Sequence, residues 1–309
     1  MGFNEHPRTS MAAMSRSNAL LKLHFAALLF GSTALFGQYM TASPTMIVLG
    51  RTVFAVLALG LFAAASGRSP WQGLSTRDIG KLMTAGVVLA LHWVTFFMAV
   101  RSGGVALATL GFASFPVFVA LLEVAILGER LRGKDVLILL LVLAGLVLIT
   151  PAFDLRNGAT VGLLWGILSG AIYACIAVFN RYLSSAASGT QSCWWQCLAA
   201  ACVLAPFGWR EALSLDGKEW LLLACLGAVC TGLAYTMLIH ALEQVKAQTV
   251  AIVICMEPVY AIALAWLIFG AAPSATVMLG GALVIGAVLT SSLARPKKPA
   301  DIKAASTGL

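Results

Sequence analysis

The chain has 309 residues, of which 60% are hydrophobic and 10% charged, with a mean hydropathy of +0.93. Soluble domains are about 45–50% apolar and about 25% charged, so this chain carries more apolar surface than a water-soluble fold can hide. The net charge of +8 is no nucleic-acid footprint, because the basic residues stand singly in short loops between apolar runs and not along one face.

A membrane-crossing helix takes about 20 mostly apolar residues. The chain reads as ten such segments: 19–40, 45–66, 79–100, 104–127, 134–151, 160–182, 190–208, 219–241, 247–270 and 274–294. The expected fold class is an all-α polytopic membrane protein. Residues 1–18 are polar, without the apolar centre of a cleavable secretion signal. They read as a cytoplasmic N-terminal tail, and residues 295–309 as a cytoplasmic C-terminal tail. The longest polar interruptions, Gly67–Asp78, Phe153–Ala159 and Trp209–Lys218, leave no room for a soluble domain.

Lys and Arg favour the cytoplasmic loops of membrane proteins. With the N-terminus inside, the inner loops collect Arg68, Arg77, Lys81, Arg130, Arg132, Lys134, Arg181 and Lys246, and the tails hold most of the remainder. The outer loops hold Arg101, Arg156, Arg210 and Lys218. Both termini inside requires an even number of crossings, as counted. Trp71, Trp194, Trp195, Trp209 and Trp220 fall at segment ends, where amphipathic rings anchor at the interface.

Along the chain, the first chemically loaded residue is Arg51, in the second segment. Its expected place is snorkelled to the outer face, with attraction for an anionic solute as the alternative. The third segment carries His92 near its centre, with Trp93 beside it and Phe96 one turn on, on the same helix face. His92 suits a hydrogen bond to a solute carboxylate, a proton relay or a polar tie between helices. The sixth segment holds Trp165 and Tyr173, and Gly162, Gly166 and Gly170 at a spacing that lets helices approach closely. The eighth holds Tyr235. The ninth holds Glu257, Pro258 and Tyr260. Glu257 lies about ten residues into that segment, where an ionisable group is costly and faces a cavity or a partner. It is a candidate site for a proton or a substrate amine, or a neutral acid bonded to a neighbouring helix. Aromatic rings with polar tips in several segments suit a pocket for a small amphipathic solute.

The seven cysteines lie in apolar segments without a CxxC pair or a nearby histidine, so no metal site, disulfide framework or cofactor is expected. The five aspartates lie in loops or the tail, which excludes a mid-membrane aspartate pair. HExxH, GxSxG, nucleotide-binding and dinucleotide motifs are absent, so an enzyme is not expected.

Phe97–Gly128 and Ile239–Gly270 align without a gap, placing Ala99 over Ala241, Pro116 over Pro258 and Gly128 over Gly270. A proline within an apolar segment removes a backbone hydrogen bond and clashes with the preceding turn, so Pro116 and Pro258 are the expected helix breaks and gating points. The chain thus divides into repeats 19–151 and 160–294. Each has five segments, an odd number, so the second must enter the membrane inverted. Inverted repeats place the solute site between the halves near the midplane.

An alanine-rich helix, a central proline and an apolar run ending in Gly-Glu resemble the EamA domain of the drug/metabolite transporter superfamily. The first copy runs from Pro116 to Leu127-Gly128-Glu129. The second runs from Glu257-Pro258 to Phe269-Gly270-Ala271, with alanine where the family has glutamate. The resemblance implies export or exchange of small metabolites such as amino acids, with amino-acid exporters of the YddG type similar in size and plan, in a bacterial inner membrane. The bilayer and a small solute are the expected partners, and a monomer suffices to house the site. A lipid flippase or a structural membrane protein is the alternative.

Overall fold

The computed structural model describes residues 6–127, 133–150, 154–183, 187–245 and 247–293. The Gly128-Glu129 end of the first copy, Arg130, Arg132, Lys246 and the tail beyond 293 lie outside them. Among the described residues the regular structure is entirely helical. The helices are α1 (His6–Tyr39), α2 (Pro44–Ala65), α3 (Thr76–Phe112), α4 (Phe115–Leu127), α5 (Gly133–Ile149), α6 (Gly158–Leu183), α7 (Gly189–Ala212), α8 (Gly217–Gly227), α9 (Ala234–Gln244), α10 (Ala247–Ile254), α11 (Glu257–Phe269) and α12 (Ala275–Leu293). A π-helical turn, Ala228–Leu233, joins α8 to α9.

Helices start where a short polar side chain precedes an apolar run. Ser43 accepts from the Met46 amide ahead of Pro44, and Asp216 accepts from the Glu219 amide. Ser75 with Asp78, and Ser188 with Gln191, form reciprocal capping boxes. The outer surface is apolar: Leu61, Phe207, Leu221 and Leu267 are each at least 70% exposed. In lipid such faces are favourable, and helices satisfy their own backbone groups. Among the described residues, six helical stretches are long and apolar enough to cross a membrane, two of them the runs Gly217–Ala241 through the π-helical turn and Ile252–Phe269 across the α10–α11 break, with shorter apolar helices at Phe115–Ile126, Val136–Ile149 and Ala275–Thr290. The chain is an integral membrane protein.

At 1.5 Å per residue, a straight α3 would be about 55 Å long, far more than the roughly 30 Å hydrocarbon core. It is not straight. Gly104 has φ 77° and ψ 174°, a conformation open essentially to glycine alone, and there the chain doubles back. The two arms, 76–103 and 105–112, both pack on α6. Going up the first arm, His92 meets Ser169 and Gly103 meets Gly162. Going on through the second, Gly111 meets Gly166 and Phe112 meets Gly170. The α6 partners run backward and then forward, as a hairpin requires. A Cβ on Gly162 would stand 2.3 Å from the Gly103 nitrogen, so the glycine spacing is a contact between backbones.

Pro116 and Pro258 do not sit inside continuous helices. Each is the second residue of a 13-residue helix, α4 or α11, that follows a two-residue interruption, Ala113–Ser114 or Cys255–Met256. The missing proline N–H falls in the first turn, where no intrahelical partner exists. The interruptions and helix starts keep the register of the ungapped alignment, 113 over 255 and 115 over 257. Each interrupted helix is crossed by the first helix of the other half at a glycine. A Cβ on Gly31 of α1 would lie 2.8 Å from the Glu257 carbonyl oxygen, and one on Gly170 of α6 would lie 2.9 Å from that of Phe112. The pairings α1–α11 and α6–α4, α2–α8 and α7–α3, correspond when the halves are exchanged, while α2–α7 and α5–α12 map onto themselves.

Candidate functional site

Among the described residues, a cavity of about 210 Å³ lies where α1, α2, α3, α6, α7, α9 and the α10–α11 break converge. Its wall includes His92, Trp93 and Phe96 from the first arm of α3, Tyr173 from α6, Tyr235 from α9 and Glu257 from α11. The sequence singled out all six. Two other residues named with them lie elsewhere. Trp165 packs, half-buried, against the apolar cluster that includes Ala99, Ala108 and Ala265. The Tyr260 hydroxyl is 2.8 Å from His24 Nδ1, between α11 and α1.

His92 is 5% exposed. Its Nδ1 lies 3.0 Å from the Ser169 carbonyl oxygen and 2.8 Å from the Ser169 hydroxyl, which donates back to the His92 carbonyl at 2.9 Å. A carbonyl only accepts, so Nδ1 carries a proton, and in the neutral ring Nε2 is then an acceptor. The ring centroid is 5.0 Å from Tyr173 and 5.2 Å from Phe112. Phe112 stacks on Phe115 at 5.5 Å, and Tyr173 meets Phe115 edge-on at 5.2 Å. The interrupted segment of the first half therefore supplies one aromatic wall.

The second half's interruption supplies the acid. Glu257 opens α11, where unpaired backbone N–H groups and the helix dipole favour negative charge. The equivalent position in the first half is Phe115.

Arg51 departs from its expected place. It is 5% exposed and lines the cavity instead of reaching an outer surface. Its Nε donates to Thr231 Oγ1 at 2.8 Å, and its guanidinium carbon stands 4.1 Å from the centre of the Trp93 ring. Thr231 sits in the π-helical turn, and its hydroxyl donates to the Leu226 carbonyl five residues back. With its proton so engaged, the hydroxyl offers Arg51 a lone pair. Thr33, Gln196 and Thr231 also line the cavity. Gln196 and Thr231 carry no signal of their own in the sequence. Gln196 lies in the least apolar of the long segments, and a lone threonine ordinarily bonds its own helix.

One end of the bundle is tied by polar contacts to the α1–α2 turn. Arg101 donates to the carbonyls of Gly37, Met40 and Ala42. Glu219 accepts from the Thr41 amide and hydroxyl at 2.8 and 3.0 Å, and Glu211 accepts from the Ser43 amide at 2.6 Å. Charged hydrogen bonds of this kind are the stronger ones. They join the Gly104 reversal of α3, the C-terminal end of α7 and the N-terminal end of α8 to one short turn.

Known proteins give this geometry a setting. The family model for the EamA-like transporter family matches residues 18–150 and again 160–293. An uncharacterized transporter of Bacillus subtilis, YxxF, is 24% identical over 97% of both chains. The pseudopaline exporter CntI of Pseudomonas aeruginosa is 27% identical over 82% of this chain and 86% of its own. The aromatic amino acid exporter YddG of Ancylobacter novellus is 25% identical over 91% of this chain and 99% of its own. A solved crystal structure shares the fold at a TM-score of 0.65 and 22% identity, covering 92% of this chain and 99% of the other.

Proposed function

We infer function from membership: the chain belongs to the EamA-like transporter family, and we propose that it exports small amphipathic metabolites, amino acids including aromatic ones, through the cavity between its halves. The observation that carries this reading is the cavity itself. It lies beside both helix interruptions and joins aromatic walls to a carboxylate at a half-helix N-terminus. Carriers built from inverted repeats place their solute sites in this way. An exporter of aromatic amino acids and an exporter of pseudopaline among the relatives agree with the direction and the solute class.

In this reading the membrane is crossed ten times. The two arms of α3 make separate crossings, the second continuing through α4. The run α8–α9 makes one crossing, and α10 with α11 another. Repeats 19–151 and 160–294 then stand inverted. Support comes from the shared register of the interruptions and from pairings that survive exchange of the halves. Both termini face the cytoplasm of a bacterial inner membrane, and a monomer houses the site. The ties at the α1–α2 turn close the outer side, and transport rocks the halves about Gly31 and Gly170, opening each side in turn. His92, Trp93, Phe96, Tyr173 and Tyr235 contact the solute, with Trp165 and Tyr260 acting behind them. Pro116 and Pro258 fix the interruptions. Glu257 takes the solute amine or a proton.

The test is counterflow of labelled phenylalanine, tryptophan and alanine in proteoliposomes, with and without a pH gradient. Saturable, protein-dependent flux is expected. Glu257→Gln is expected to lower it at least tenfold or to abolish its response to the gradient. Absence of flux across the panel contradicts the amino-acid reading. Unchanged rate and pH response in Glu257→Gln contradict the role of that residue.

A further inference from the structure

A positive charge deep in a membrane bundle is costly and is kept where it meets a partner or a solute. Arg51 has a neutral anchor and an aromatic face but, among the described residues, no carboxylate in an ion pair with it. Its guanidinium is nevertheless fixed. Nε is held by Thr231. The guanidinium carbon stands over the ring of Trp93, and cation–π contacts of this kind favour arginine. The π-helical turn orients Thr231, and such turns recur at functional sites. With Nε occupied, the two terminal nitrogens remain as an end-on fork, whose spacing matches the two oxygens of a carboxylate.

We propose that Arg51 is the carboxylate anchor of the cavity, and that the solutes carried are those bearing a free carboxylate beside an apolar or aromatic body. This rests on the transporter reading above and narrows its solute class. Thr231 is a positioning residue, holding the fork toward the cavity. Glu257 lines the same cavity, so a solute with an amine as well as a carboxylate finds an opposite charge for each group. The aromatic rings on α3 and α6 receive its side chain.

The experiment is binding to the purified full-length protein in detergent, read by tryptophan fluorescence. The ligands are L-phenylalanine, 3-phenylpropionate, L-phenylalaninamide and phenylethylamine. The two acids are expected to bind at least tenfold more tightly than the amide and the amine. This comparison on the unaltered protein holds even where a substitution disturbs folding. Arg51→Gln is expected to weaken the acids at least tenfold, Arg51→Lys less, and Thr231→Val to an intermediate degree. Equal affinity for acid, amide and amine, no binding of any of the four, or full acid affinity in Arg51→Gln would each overturn the assignment. Flux of phenylalanine without acid preference removes Arg51 as the anchor and leaves transport standing. Acid preference without flux does the reverse.

Discussion

His92 is held at both its ring and its carbonyl by a single residue, Ser169. That tie joins the first arm of α3 to α6 and sets the tautomer that His92 presents. Ser169→Ala leaves one ring contact, to the Ser169 carbonyl, and deprives the His92 carbonyl of its extra donor. A buried hydrogen bond of this kind contributes about 0.5–1.5 kcal/mol. Thermal unfolding in detergent should show a loss of that size, together with reduced solute affinity. Unaltered stability and affinity would mean that the backbone contact alone positions the ring. His92 and Glu257 were legible in the sequence because ionisable groups stand out within apolar segments. The distance of Arg51 from its segment end admits snorkelling, so its sequence position does not place it in the cavity. Only the π-helical turn, which brings Thr231 within reach of Nε, reveals that it faces inward. Ser169 carried no signal of its own, since its partner lies 77 residues away.

At the scale of single helices, the prolines and glycines carried most of the information. The aligned prolines announced two interruptions, and the structure puts these at Ala113–Ser114 and Cys255–Met256, just ahead of Pro116 and Pro258. Helix geometry explains the shift. A proline is tolerated in a first turn and not in an interior, so the break forms on its N-terminal side. Gly104 was not distinguishable from the many other glycines of the chain by sequence, yet its positive φ reverses α3. Gly104→Ala is expected to cost roughly 1–3 kcal/mol, the range for such a backbone conformation in a residue with a Cβ. Thermal unfolding of the purified variant measures it. An Ala variant as stable as the parent would show that the reversal needs no glycine. The ties from Arg101, Glu211 and Glu219 to the α1–α2 turn were likewise hidden. Charges near segment ends read as solvated until the turn is seen to supply their partners.

The whole molecule repeats its own construction. Each half begins with a helix that crosses the interrupted helix of the other half at a glycine, Gly31 on α11 and Gly170 at the start of α4. The ungapped alignment made the repeat legible because the interruptions keep its register. Which helix of one half meets which helix of the other was not legible, because lipid-facing and helix-facing positions are equally apolar here. The halves are alike in backbone and unlike in chemistry. One interruption brings an aromatic ring, Phe112 backed by Phe115, to the cavity and the other brings an acid. If the halves rock as proposed, the cavity opens to each side of the membrane in turn, and native Cys193 lies on its wall. A chain keeping Cys193, with its six other cysteines replaced by serine or alanine, would be treated with a membrane-impermeant methanethiosulfonate from each side separately. Reaction from both sides, with rates that phenylalanine alters, is the predicted result. Reaction from one side alone, at a rate indifferent to solute, would contradict it.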